Sequence, residues 1–130
     1  MKKLLIFLIC LPLIGFGQQT YTKNVLLKSG EIHLDTKFNI SPKTTEIVHG
    51  DYYRFIQFSE IPSEAQKDIL VEQGIQFLEY IPFNTYVVSV STSFSNIEKL
   101  REFGAISLQS ILSEQKIDPK LQNGKCPEWA

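Results

Sequence analysis

Residues 74–90, Gly74-Ile-Gln-Phe-Leu-Glu-Tyr-Ile-Pro-Phe-Asn-Thr-Tyr-Val-Val-Ser-Val90, are two apolar runs joined at Pro82-Phe83-Asn84. Pro82 has no backbone donor and Asn84 tolerates a left-handed conformation, so one strand is expected to stop near Ile81 and another to start by Thr85. A hairpin here constrains the rest of the chain, because similar units flank it. A strand and a Ser-capped helix precede it, and a second Ser-capped helix and a strand follow.

Tyr52-Tyr-Arg-Phe-Ile-Gln-Phe58 reads as a strand with apolar side chains in both alternate sets, ended by Pro62. Ser63 with Gln66 three residues on forms a capping box. Ala65, Ile69 and Leu70 supply an apolar stripe, and Gly74 fits the position just past a helix. After the hairpin, Ser95 with Glu98 repeats the box, Ile97, Leu100 and Phe103 share a helical face, and Gly104 closes it. Ala105 to Leu112 supplies the fourth strand. The order βαββαβ, with related halves, predicts an α+β ferredoxin-like (split βαβ) fold: a four-stranded antiparallel sheet with both helices on one face. Leu26-Leu-Lys-Ser-Gly30-Glu predicts a small β-hairpin ahead of it, turning at Ser29-Gly30. Lys37 to Thr45, with Pro42, reads as a connecting strand and loop.

Export is expected from the N-terminus. Met1-Lys-Lys precedes an apolar run from Leu4 to Ile14, and Gly15-Phe16-Gly17 presents small residues at both positions a signal peptidase inspects, placing cleavage before Gln18. The run falls short of the roughly 20 apolar residues a membrane span needs. The expected divisions are a signal peptide over 1–17, a hairpin and linker over 18–51, the βαββαβ domain over 52–112 and a tail over 113–130. Losing 17 of 130 residues leaves 113, enough for one compact domain. It also removes Lys2 and Lys3, so 13 basic residues fall to 11 against 14 acidic ones and the charge becomes −3. A dispersed, acid-leaning balance argues against nucleic acid as a partner.

Few residues suggest chemistry. His33 and His49 are the only histidines, with Asp35 and Asp51 two positions after them. Neither pair has a third ligand or a nucleophile at a recognisable spacing, so both read as hairpin histidines, and no cofactor or metal is expected. Cys126 is the one cysteine left after cleavage, beside Pro127 with no base near it in sequence, which suits pairing with another segment better than catalysis. On the sheet, Tyr53 and Phe55 alternate with Ile56 and Phe58, while Ile75, Phe77 and Ile81 alternate with Leu78 and Tyr80. Whichever set faces the helices, apolar side chains remain on the other face. They need a cover, either the first section folding back or a partner.

Tyr53-Arg-Phe-Ile-Gln-Phe58, the helix from Ser63 to Gly74 and above all Tyr80-Ile-Pro82-Phe-Asn84-Thr-Tyr86 resemble the N-terminal propeptide domain of secreted subtilisin-like serine peptidases. The resemblance spans residues 52–120, and Leu26 to Glu31 is similar to the strand pair that often precedes that domain. It implies a folding assistant and inhibitor, an intramolecular chaperone that packs its open sheet face on the peptidase and lays its tail in the active-site cleft. The implied tail is Ser113 to Leu121. The partner-binding residues would be Tyr53, Phe55, Phe77 and Tyr80 on the sheet, with Ser113, Glu114, Gln115, Lys116 and Ile117 in the tail. The partner would be a subtilisin-like peptidase domain on the same or a separate chain, outside the cell or in the envelope, with no membrane contact after cleavage.

Such a peptidase needs an Asp, a His and a Ser, each in its own Gly-containing loop. Nothing in the 130 residues resembles those loops, so the chain reads as non-catalytic; the terminal Cys126 and Trp129 suggest either the front piece of a longer protein, which could be a serine endopeptidase, or a remnant that has lost its catalytic part. The alternative is an exported structural or adhesion module of the cell envelope that uses the same sheet face on a protein partner. An extended, projecting tail favours the first reading, and a tail packed back over the sheet favours the second.

Overall fold

The computed structural model describes residues 21–117 and 124. The expected signal peptide, the tail beyond Ile117, and Cys126 and Trp129 lie outside the described residues. The chain opens with β1 (Val25–Leu27) and β2 (Gly30–Ile32), and a 3-10 turn follows at Thr44–Glu46. Then come β3 (Asp51–Phe58), α1 (Glu64–Glu72), β4 (Ile75–Ile81), β5 (Thr85–Ser91), α2 (Ile97–Glu102), β6 (Ala105–Ser110) and a single turn, α3 (Ser113–Lys116). The fold is α+β: β3 to β6 form one antiparallel sheet in the order β4-β5-β3-β6, and β1-β2 form a separate hairpin.

The central hairpin turns where the sequence predicts, with Ile81 opposite Thr85. Asn84 is left-handed at φ 54°, and so is Phe83 at φ 71°, a rare conformation for an aromatic residue. Surrounding bonds hold it: the Asn84 carbonyl accepts from the Phe58 N–H at 2.9 Å, and Asn84 Nδ2 donates to the Ser59 carbonyl at 3.1 Å. Helix α1 starts at the expected box, with Ser63 Oγ accepting from the Gln66 N–H at 3.2 Å and Gln66 Oε1 from the Ser63 N–H at 3.0 Å. Leu70 is buried, whereas Ala65 and Ile69 are exposed, so the helix rests on a narrower stripe than expected. The cap of α2 is Asn96 rather than Ser95, its Oδ1 accepting from the Lys99 N–H at 3.1 Å. The first hairpin turns at Lys28-Ser29, one residue earlier than expected, because Gly30 uses its positive φ of 130° to open β2.

Both long helices contribute to one core. Leu70 of α1 and Leu100 of α2 bury against Tyr52, Ile56 and Phe58 of β3, Val88 of β5 and Leu108 of β6. The opposite face of the sheet is covered by the first section of the chain. Val25 and Leu34 are buried there with Phe55 and Ile81, flanked by Leu27, Ile32, Val87 and Ile111. From that face the chain runs along the outer edge of β6, where the Leu108 N–H donates to the Lys37 carbonyl and the Asn39 N–H donates to the Leu108 carbonyl, both at 2.8 Å. It continues onto the helix side, where the Tyr52 hydroxyl donates to the Ile40 carbonyl at 3.2 Å. A His49-Gly50 turn, with Val48 bridged to Asp51, then feeds β3. Residues 37–39 thus close the β6 edge, which would otherwise present unpaired backbone groups.

A candidate protein-docking face

Buried polar side chains hold the first section in place. Gln57, 1% exposed on the hairpin face, accepts the Lys23 N–H at Oε1 and donates from Nε2 to the Lys23 carbonyl and to Thr85 Oγ1. On the helix side Arg54, also 1% exposed, donates to the Asn39 carbonyl at 3.1 Å, to the Tyr53 carbonyl at 2.8 Å and to the Glu46 carboxylate at 3.1 Å, with its guanidinium 4.6 Å from the Tyr52 ring centre. The Lys43 N–H, donating to Glu46 Oε2 at 2.6 Å, and Arg54 hold the Glu46 carboxyl below its ordinary range. Burial pushes the Tyr52 hydroxyl the other way, above its ordinary range. A polar Gln and a charged Arg inside an aromatic strand were the available signal that something packs on both faces of β3.

The hairpin leaves part of its own face uncovered. A groove of about 630 Å³ lies between the hairpin tip at Leu26 to Ser29 and the tail at Gln115 to Ile117, with Phe55, Ile81 and Val87 among its apolar lining. Its charged residues are Lys28, Lys116 and Glu79. Such a groove is suited to holding an apolar segment, with polar contacts at the ends.

The nine residues expected to bind a partner do not share one surface. Phe55 is beneath the hairpin at 3% exposure, and Tyr53, on the same face of β3, is 39% exposed. Phe77 is half-buried on the helix face, its ring centre 6.3 Å from that of Phe58 and 5.1 Å from that of Tyr86. Tyr80 faces Tyr86 across the ladder, ring centres 5.2 Å apart, and adjoins the groove at the β4 edge. The division arises at a bulge: Phe77 pairs with Val88 and Glu79 with Val87, leaving Leu78 unpaired and 53% exposed. One inserted residue reverses the alternation, so Phe77 and Tyr80 come to lie on the helix side and Ile81 on the hairpin side. In the tail, Ser113 to Lys116 form a helical turn instead of an extended run, with Ser113 and Glu114 exposed and Gln115, Lys116 and Ile117 lining the groove. The residues that sequence reasoning missed are those of the hairpin, Leu26, Leu27 and Lys28, together with Ile111.

Among the described residues no three His, Cys, Asp or Glu side chains gather as a metal site, and no helix is long and apolar enough to cross a membrane. His33 Nδ1 lies 2.8 Å from Asn24 Oδ1, and His49 sits in its turn with φ 53°.

A family model described as Domain of unknown function (DUF8729) matches residues 26–113. The chain belongs to that family. The matched span includes the hairpin from Leu26 on, the segment joining β2 to β3 and the whole sheet, so the family's unit contains most of the cover as well as the surface it covers. No curated protein and no solved structure matches the chain.

Proposed function

We propose that the chain is a propeptide-type domain of a secreted subtilisin-like serine peptidase, non-catalytic itself, that assists folding of the peptidase and inhibits it. The ferredoxin-like assignment belongs to this reading. The order β4-β5-β3-β6, with α1 joining β3 to β4 and α2 joining β5 to β6, is the order two interleaved βαβ halves produce. The observation that carries the reading is where the tail begins. Leaving β6, the chain passes Ile111 in the hairpin-side cluster and reaches Ile117, which lines the groove in an extended conformation. A partner seated at the groove therefore meets the root of the tail. Docking uses the hairpin tip and the groove rather than a bare sheet, because the hairpin occupies the rest of that face.

The alternative, an exported envelope module, has one observation in its favour. Ser113 to Lys116 coil beside the sheet instead of projecting from it. Purified residues 18–130 and 18–112, assayed against a panel of subtilisin-like peptidases, separate the two. Submicromolar inhibition by the longer form, lost in the shorter, is the expected result. No inhibition and no binding by either form would move the assignment to the envelope module.

A further inference from the structure

The cations of the two long helices are satisfied internally. Lys67 pairs with Glu64 at 2.9 Å, Lys99 with Glu102 at 2.8 Å and Arg101 with Glu98 at 2.8 Å. The two lysines at the groove differ: among the described residues neither the ammonium of Lys28, at the hairpin tip, nor that of Lys116, in the tail turn, has an ion-pair or hydrogen-bond partner, and both residues are exposed. They stand on the two elements that flank an apolar floor, in a chain whose acidic residues outnumber its basic ones by 14 to 13. Glu79 is the one acid in the lining, so the lining residues carry two positive charges to one negative. Leu26, at 58%, and Ile117, at 44%, are the exposed apolar residues beside these lysines.

We infer that the groove takes an extended segment of a partner protein that presents apolar side chains between acidic ones. The apolar side chains rest on Leu27 and Val87, with Leu26 and Ile117 beside them, and the carboxylates face Lys28 and Lys116 rather than Glu79. This rests on the reading of the chain as a protein-binding domain and adds what the partner must present. Exposed ion pairs are individually weak, so their part is to select the charge and orientation of the segment, while the apolar contacts supply most of the affinity.

The test uses residues 18–130 and two dye-labelled peptides, Glu-Leu-Phe-Leu-Asp and its charge-reversed form Lys-Leu-Phe-Leu-Lys, followed by fluorescence anisotropy at low and moderate salt. The acidic peptide is expected to bind about tenfold more tightly at low salt, with the preference narrowing as salt rises. The double variant K28E/K116E, altering exposed side chains only, should abolish or invert the preference, and I117S should weaken both peptides while leaving the preference intact. Equal affinity for the two peptides, no binding of either at millimolar concentration, a preference that survives K28E/K116E, or self-association of the chain that excludes both peptides would each overturn the inference. The peptidase assay fails separately. A retained acidic preference without inhibition removes the propeptide reading alone, and inhibition unchanged by K28E/K116E removes this inference alone.

Discussion

The side-chain amide of Gln57 pairs with the main chain of Lys23 as a neighbouring strand would, accepting the Lys23 N–H at 2.8 Å and donating to the Lys23 carbonyl at 2.9 Å. One buried side chain thereby fixes the start of the hairpin section to the middle of the sheet, 34 residues further on. The same Nε2 lies 3.0 Å from Thr85 Oγ1 and 3.2 Å from the Phe83 carbonyl, which links the cover to the central turn.

Replacing Gln57 with Leu keeps the volume and removes every one of these bonds, stranding buried polar partners. The expected loss is about 2–3 kcal/mol in denaturant unfolding. Amide exchange at residues 23–27 should accelerate well before that of β3. Unchanged exchange in the hairpin would show that apolar contacts at Val25 and Leu34 hold it without the clasp.

The Glu46–Arg54 pair predicts that the segment joining β2 to β3 is acid-sensitive. Because the Glu46 carboxyl is held below its ordinary value of 4.5, its contribution is fully present above that value and is lost as pH falls through the lower, folded-state value. Glu46→Gln should cost about 1 kcal/mol at neutral pH and flatten the decline of stability below pH 4.5. Parallel pH profiles for the two proteins would assign the acid sensitivity elsewhere.

Gly74 is the position where a glycine is required twice over. Its φ is 105°, and a Cβ there would lie 2.9 Å from the Cβ of Ser91. Gly74→Ala is expected to destabilise by about 2–3 kcal/mol, against about 1–2 kcal/mol for Gly50→Ala, which has a positive φ of 85° but open space around it. Thermal unfolding of the two variants checks the ranking, and equal losses would mean that the backbone conformation alone sets the cost.

These residues also mark what the sequence made legible. The 82–84 turn, the Ser63 cap and the order of strands and helices depend on neighbours within a few positions, and local chemistry is strong there. The choice of Asn96 over Ser95 as cap was not legible, since adjacent side chains were both competent. The division of Phe77 and Tyr80 from Tyr53 and Phe55 depends on one bulged residue, Leu78, and no local signal specifies a bulge. That the first section folds back over the sheet was one of the two covers the strand alternation allowed, and the choice between it and a separate partner was not legible. The hairpin strands have three residues each, too short for alternation to say what they cover, and only Gln57 and Arg54, polar positions in an aromatic strand, point to the packing on either side.

The central claim is that a subtilisin-like peptidase docks on the hairpin side, at the groove and the root of the tail. Hydrogen exchange of residues 18–130 with and without an equimolar peptidase tests it most directly. The account predicts new protection at 26–29, 79–82 and 111–117, with α1 unchanged. Protection confined to the outer surface of α1, or no protection on adding the peptidase, would contradict it.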